Sequence, residues 1–183
     1  LARLARLYTG FAPDIRVKTD PDKKERIKEE VYDLGAFTQN KLWIYNQTNS
    51  VETERVIGMV RYCAKELKVD HIFVDNLAKC IKNEDDYNGQ KYFIDEMMSI
   101  AKDNDVHIHI VHHLKKPPKE QERPDKSDVK GSGSIVDQID NLFLIWRNKA
   151  KEDEAKAVDV EKRQKTNEPD SVLYCRKQRN YQG

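Results

Sequence analysis

Short runs of mostly apolar residues alternate along this chain with segments whose apolar residues recur at helical spacing. Such runs are typical of strands that are buried on both faces of a sheet, and the helical segments between them are typical of crossover connections. The predicted strands are residues 42–45, 71–74, 106–111, 142–146 and 171–175. This alternation predicts an α/β fold with a parallel β-sheet flanked by helices.

The predicted helices carry start and stop signals as well as an apolar face. Asp20-Pro21-Asp22 predicts the start of one helix, Gly35 predicts its end, and Ser50 predicts the cap of the next helix. Residues 134–139 predict a short helical turn. The apolar faces of the three longer helices consist of Ile27, Val31 and Leu34, then Val56, Met59, Val60, Cys63 and Leu67, then Tyr92, Ile94, Met97, Met98 and Ala101.

The length and composition of the chain predict a single domain that spans residues 1–183. Hydrophobic residues make up 38% of the chain, which is enough for a core, and the 36% that are charged leave wide solvated faces. Residues 148–170 are mostly charged or polar and predict a solvated surface excursion within this domain. The net charge of +1 gives no overall attraction to nucleic acid or membrane, so a polyanionic partner would have to bind a local basic patch.

The three cysteines, Cys63, Cys80 and Cys175, are odd in number and form no CxxC motif. This pattern argues against a disulfide framework and against a structural zinc site. No apolar run approaches the roughly 20 residues that cross a bilayer, and the first residues do not resemble a signal peptide. We therefore expect a soluble protein, cytoplasmic or nucleoid-associated rather than secreted, with no membrane partner.

Polar residues directly follow three of the predicted strands, where open parallel sheets bind their ligands. They are Asp75-Asn76, His112-His113, and Lys177 with Arg179. A carboxylate in the position of Asp75 is suited to holding Mg²⁺ through water beside a nucleotide phosphate. An equally good interpretation is that Asp75 only caps the turn that follows its strand.

The histidines at the third predicted strand divide into two groups. His113 can donate a hydrogen bond to a phosphate oxygen or polarise a water molecule. His107 and His109 are two residues apart and share one face of the strand, so the simpler interpretation is a pair of packed, hydrogen-bonded rings. No carboxylate or cysteine completes a metal-ligand set with them at a familiar spacing, and we therefore predict no metal there.

Lys177 and Arg179 are also two residues apart and lie on one side of an extended segment. An arginine is suited to stabilising the charge of a transferring phosphoryl group, and neighbouring subunits often supply it. Composition alone favours the simpler interpretation, a basic surface with no ligand.

The segment from Lys115 to Lys130 predicts a long loop that is stiffened by prolines and followed by Gly131 and Gly133. Glycines allow close backbone approach, which suits N–H groups that reach phosphates at the start of a short helix. A loop of this length is commonly functional, although a solvated loop without a ligand is the alternative. Its basic residues are Lys115, Lys116, Lys119, Arg123, Lys126 and Lys130.

Five short motifs, in this order, resemble the RecA-like motor domain of hexameric replicative DNA helicases, which include the DnaB family, phage primase-helicases and the Twinkle helicase. The matching stretches are residues 42–45 with 51–55, 71–77, 112–115, 128–134 with Asp140, and 177–180. The resemblance covers nearly the whole chain and implies an ATP-dependent helicase that translocates on single-stranded DNA as a ring-shaped homo-oligomer, a hexamer by analogy, with a primase as a further partner.

The resemblance also implies roles for individual residues. Asp75 would be the Walker B aspartate that binds Mg²⁺, and His113 would sense the phosphate of ATP. Arg179, with Lys177 beside it, would be the arginine finger that acts on a neighbouring subunit's ATP. The residues that would contact single-stranded DNA are Lys115, Lys116, Lys119, Lys126, Lys130, Gly131, Ser132 and Gly133. Residues 79–89 would form a second channel loop, and His112 receives no role.

Two features depart from this family. The GxxxxGK[ST] phosphate loop and the catalytic glutamate are missing from the sequence. We therefore expect a partial RecA-like sheet without the strand and helix of the phosphate loop, an internal piece of a longer polypeptide, which is inactive by itself. Lys130 stands where many relatives have arginine, which keeps the charge but loses the bidentate fork. The alternatives are a RecA- or RadA-type recombinase and a non-catalytic RecA-like module for DNA binding or assembly.

Overall fold

A computed structural model describes seven segments, residues 24–39, 41–45, 51–83, 85–115, 123–131, 133–156 and 168–180. The chain divides into two compact units, residues 1–47 and residues 48–183. The second unit contains all the strands that the structure describes. No helix of the described segments is long and apolar enough to cross a membrane.

The first unit contains one described helix, α1, from Lys24 to Thr38. Gly35 lies inside this helix, so the predicted end was wrong, because a single glycine weakens a helix by about 1 kcal/mol without ending it. The chain leaves the helix where Gln39 adopts a left-handed backbone with φ 46°. The predicted start at Asp20-Pro21-Asp22 lies outside the described residues.

Residues 42–45 do not form the predicted strand. They have no regular secondary structure, and all four side chains are exposed. A strand requires backbone hydrogen bonds to a neighbouring strand, and no described strand pairs with this run.

The second unit begins with a helix, which a βαβ arrangement follows. Helix α2 extends from Thr53 to Lys65, strand β1 from His71 to Asp75, helix α3 from Tyr87 to Asn104, and strand β2 from His107 to Val111. Strands β1 and β2 pair in parallel. Glu52 occupies the N-cap of α2, whereas Ser50, the predicted cap, lies outside the described residues.

The core lies between helices α2 and α3 and one face of the β1–β2 pair. Phe93 and Ile94 of α3 are almost completely buried, and so is Ile57 of α2. From the strands, Ile72, Val74, Ile108 and Ile110 contribute to the same cluster. Burial of this kind contributes about 25 cal/mol per Å² of apolar surface, and it fixes the position of both strands.

The connection from β1 to α3 is packed over its first half. A 3₁₀ turn spans Leu77–Lys79, and Leu77, Cys80 and Ile81 are buried. The hydroxyl of Thr53 donates a hydrogen bond to the carbonyl of Cys80 at 2.7 Å. Gly89, the predicted end of a second channel loop, lies inside α3, so the connecting loop is shorter than predicted.

The remaining elements form a second pair of strands. Helix α4 extends from Gly133 to Gln138, strand β3 from Asn141 to Arg147, helix α5 from Lys149 to Lys156, and strand β4 from Ser171 to Gln178. Strands β3 and β4 pair antiparallel. The α/β class is confirmed, but the expectation that all strands are parallel was wrong, because β4 returns beside β3 in the opposite direction.

The two strand pairs are separate sheets among the described residues, whereas a single sheet was predicted. A groove of about 300 Å³ lies between them, lined by α3, by β2 and by the first residues of β3. Ile108 and Ile110 line it from β2, and Leu142 and Phe143 line it from β3.

Candidate functional site

Strands β1 and β2 end side by side, because Asp75 is in register with Val111. The residues that follow each strand therefore meet at one edge of the sheet. The side-chain amide of Asn76 donates a hydrogen bond to Nε2 of His113 at 3.2 Å. The structure thus places His113 beside the end of the Asp75 strand, and the carboxyl-bearing residue Asp75 itself is exposed.

Asn76, to which the family resemblance assigns no role, is placed at this edge as well. The oxygen of its side-chain amide is buried and has no hydrogen-bond partner among the described residues. Because the amide nitrogen donates to Nε2, a neutral His113 ring carries its proton on Nδ1. The only sequence signal for Asn76 was its place directly after a strand-end aspartate.

The exposed position of Asp75 fits a hydrated magnesium ion. Mg²⁺ prefers oxygen ligands, keeps several of its waters, and is commonly held through one or two carboxylates together with phosphates. Asp75 directly precedes Asn76, which contacts His113, so Asp75 and His113 lie at the same edge of the sheet.

The long basic loop begins and ends in a short antiparallel stem directly after β2. Leu114 forms an isolated bridge with Val129, the Lys115 amide donates to the Asp128 carbonyl at 2.7 Å, and the Lys130 amide donates to the His113 carbonyl at 3.0 Å. Both ends of the loop are therefore held against the strand end that carries His113.

His112 adds a side-chain bond to this stem. Its Nε2 donates a hydrogen bond to the backbone carbonyl of Lys130 at 2.6 Å. The resemblance gave His112 no role, yet the structure bonds it to a residue of the predicted DNA-binding segment. Lys130 is held through its N–H by His113 and through its carbonyl by His112.

The structure describes part of the predicted DNA-binding set. Lys115 is exposed, and its ammonium group donates to the carbonyl of Ser127 at 3.1 Å. Lys126 is exposed in a 3₁₀ turn, Lys126–Asp128. Lys130 and Gly131 are half-buried, and Gly133 is exposed as the first residue of α4. The predicted contacts Lys116, Lys119 and Ser132 lie outside the described residues.

Gly131 has a backbone conformation that other residues rarely adopt. Its φ is +95°, and a Cβ placed on it would lie 2.4 Å from the amide oxygen of Gln90. Gln90 is buried on α3, so the chain after the loop approaches this helix closely. Glycine is therefore required at position 131 for two steric reasons, the positive φ and the lack of space for a Cβ.

The returning arm of the loop is held by the second sheet. The guanidinium group of Arg176 on β4 donates two hydrogen bonds, of 3.2 and 3.0 Å, to the carbonyl of Pro124. The guanidinium of Arg123 lies 5.8 Å from the centre of the Trp146 ring on β3. The loop therefore connects the sheet that carries His113 with the sheet that carries Lys177 and Arg179.

Lys177 and Arg179 lie at the end of α4 and not at the edge where Asn76 contacts His113. Lys177 donates to the carbonyls of Val136 and Asp137 at 2.6 and 2.8 Å. Both residues bind the last carbonyls of α4, where cations are favoured by the helix dipole.

Arg179 donates to the carbonyls of Asp137 and Gln138 at 2.8 and 3.0 Å and forms a 3.1 Å ion pair with Asp140. Its side chain keeps 44% of its exposure. Arg179 therefore belongs to a cationic group at the C-terminal end of α4. This group is separate from the contact between Asn76 and His113.

Three histidines meet on the face of β1 and β2 that points away from α2 and α3. His71 of β1 is in register with His107 of β2, and His71 Nδ1 lies 3.2 Å from His109 Nε2. Burial lowers the pKa of His109, and the neighbouring His107 and His71 lower it further. His71 is the third member that was missing when His107 and His109 were considered alone.

A family model described as DnaB-like helicase C terminal domain matches residues 14–182. The match spans the two sheets, the basic loop and the predicted site residues. The chain therefore belongs to the DnaB-like helicase family, and the resemblance to its RecA-like domain is confirmed. The class that fold and match define is the replicative DNA helicases.

Proposed function

We propose that this chain is part of the motor domain of an ATP-dependent DNA helicase, which translocates on single-stranded DNA and unwinds duplex DNA. Family membership supports this proposal. The observation that carries it is the bonded path from Asn76 through His113 to Lys130, which links the strand-end residues to the basic loop.

On the nucleotide side, Asp75 would hold Mg²⁺, and the ion would supply positive charge against the phosphates. Asn76 fixes the His113 ring through Nε2. This leaves the Nδ1 proton of the neutral ring as the donor to a phosphate oxygen of ATP. Loss of that phosphate after hydrolysis removes the acceptor, so His113 responds to the state of the nucleotide.

On the DNA side, the loop contacts the phosphate backbone through Lys115, Lys126 and Lys130, together with the cations outside the described residues. A shift of His113 moves Lys130, because the two backbones are hydrogen-bonded. Binding through phosphates is independent of sequence and weakens with salt.

Lys177 and Arg179 act on the ATP of a neighbouring subunit in a ring, with six subunits by analogy to the family. Their position on the second sheet, at the end of α4, supports a role away from the Asp75 edge of their own subunit. An arginine of this kind stabilises charge on the transferring phosphoryl group and is worth about 10³- to 10⁵-fold in turnover.

The test is the ATPase activity of the full-length protein, with and without single-stranded DNA, for the wild type and for His113→Ala and Arg179→Ala. We expect Arg179→Ala to lose turnover by about 10³-fold. We expect His113→Ala to lose the stimulation by DNA. Lys102→Ala, an exposed lysine in the last turn of α3, is the matched control and should keep full activity.

Near wild-type turnover in both site variants would overturn the assigned roles. Single-strand binding without any ATPase would favour the non-catalytic module. ATPase activity that drives strand exchange rather than unwinding would favour the recombinase.

A further inference from the structure

The β1–β2 sheet carries three imidazoles on one face. Ile72, Val74, Ile108 and Ile110 point into the core, and the residues between them point the other way. His71 and His107 are exposed, and His109 is half-buried. Strand alternation and the parallel register together bring these rings to one place, although His71 and His107 are 36 positions apart in the sequence.

The distances between the rings are close to those of a metal site. Each histidine offers a ring nitrogen, and these atoms all lie within 4.8 Å of one another. A tetrahedral zinc ion with Zn–N bonds of 2.0–2.1 Å holds its ligand atoms about 3.4 Å apart. His71 Nδ1 and His109 Nε2 are already 3.2 Å apart, so rotation of the His107 side chain is the main adjustment.

The neighbouring side chains limit how these rings can move. Phe73 stacks on His109, with centroids 4.2 Å apart and an angle of 5° between the planes. His107 stacks on the same ring at 4.2 Å and 15°, and this stack opens when His107 turns a ring nitrogen towards an ion. His109, which Phe73 still holds, loses less conformational freedom when it binds a ligand, and this favours binding.

We propose that His71, His107 and His109 form a site for a divalent transition-metal ion of the zinc class, with three imidazole ligands and an open fourth position. Imidazole nitrogens suit zinc, copper and nickel, whereas Mg²⁺ and Ca²⁺ require oxygen ligands. This site is distinct from the magnesium position at Asp75 and does not depend on the proposed helicase function.

The same three side chains admit a simpler role as an aromatic cluster. The hydrogen bond between His71 and His109 and the stacked rings would then be sufficient by themselves. The two interpretations predict different zinc binding. Only the metal site binds one zinc ion per chain through all three histidines.

The experiment is a titration of the full-length, tag-free protein with Zn²⁺ and with Co²⁺, after treatment with a chelator and in buffer that contains Mg²⁺. Calorimetry gives the stoichiometry and affinity for zinc, and the visible absorption of cobalt reports its coordination. We expect one ion per chain and the intense absorption bands of tetrahedral cobalt with nitrogen ligands.

Three variants identify the ligands, His71→Gln, His107→Gln and His109→Gln. Each should weaken zinc binding by more than the roughly 10- to 100-fold that is typical when only a residue that hydrogen-bonds to a metal ligand is lost. His113→Gln is the matched control, since it removes a histidine of the other group and should bind zinc as the wild type does.

Absence of a one-to-one zinc complex in the wild type would overturn the proposal, and so would unchanged affinity in the three cluster variants. Loss of binding in His113→Gln alone would place the metal at His112 and His113 and would equally overturn it. If one cluster variant fails to fold, the other two and the cobalt spectrum of the wild type still decide.

Discussion

Nε2 of His112 lies 2.6 Å from the backbone carbonyl of Lys130 and donates a hydrogen bond to it. His112 lies between β2 and the loop, and Lys130 is the last residue of the loop, so this bond closes the loop at its base. The Lys130 amide also donates a hydrogen bond to the His113 carbonyl. The two bonds fix Lys130, a predicted DNA contact, relative to His113, the predicted phosphate sensor.

Removal of the His112 ring should weaken DNA binding without removing any positive charge of the loop. One hydrogen bond contributes about 0.5–1.5 kcal/mol, so we expect His112→Ala to reduce the affinity for a labelled oligonucleotide about 2- to 12-fold. Fluorescence anisotropy with the full-length protein measures this change. His112→Gln can place an N–H near the position of Nε2 and should recover part of the affinity. Equal affinities in wild type and His112→Ala would show that the bond does not hold the loop.

Gly131 and Gly133 form a matched pair for a stability test. Gly131→Ala forces a side chain into a backbone with φ +95° and against Gln90, and we expect a loss of roughly 1–3 kcal/mol in the free energy of unfolding. At Gly133, which begins α4, nothing lies within 4 Å of an added Cβ. Gly133→Ala should leave stability unchanged or raise it by about 0.5–1 kcal/mol. Urea unfolding measures both; a smaller loss for Gly131→Ala than for Gly133→Ala would contradict the structure.

Mixing of subunits tests whether Arg179 acts on a neighbouring subunit. Asp75→Ala and Arg179→Ala should each abolish most of the ATPase activity when they are assayed alone. In mixed rings, an intact Asp75 of one subunit can meet an intact Arg179 of the next, and we expect a substantial part of the activity to return. No recovery at any mixing ratio, in rings shown to exchange subunits, would indicate that Arg179 only holds the end of α4.

The contribution of Lys126 to DNA binding should appear in the salt dependence. For single strands, each phosphate contact contributes about −0.7 to the slope of log affinity against log salt concentration. We expect Lys126→Ala to make the slope less steep by about this amount. Lys102→Ala, on α3 and outside the loop, is the control and should keep the wild-type slope. An unchanged slope for Lys126→Ala would remove this residue from the interface.

The cysteines should differ in their reactivity towards an alkylating reagent. Burial raises the pKa of Cys80 to about 11, so at pH 8 only about one Cys80 thiol in a thousand is ionised. Cys175 is exposed and should react first in the native protein. Raising the pH towards 11 or adding denaturant should expose Cys80 to modification. Mass spectrometry of the modified peptides gives the order, and equal rates for Cys80 and Cys175 in the native protein would contradict this burial.

Local patterns predicted most elements of the second unit. Strands β1 and β2 and helix α3 appear where the apolar runs and the helical spacing indicated them. The expected burial of both strand faces was wrong, because Phe73 and Val111 on the outer face are exposed. The same pattern failed for residues 42–45, since an apolar run does not specify a strand partner. It also failed for the direction of β4, because a charged connection does not reveal whether the chain crosses the sheet.

The sequence by itself determined which polar residues follow each strand and to which family the chain belongs. Asp75, His113 and Arg179 could be predicted as site residues because each follows a predicted strand and lies in a short motif. Both features can be recognised from neighbouring residues in the sequence. The tertiary structure decided that Asn76 holds His113, that His112 holds Lys130 and that His71 joins His107 and His109. These contacts join residues far apart in the chain, and they depend on the register of the strands and on the packing that fixes it.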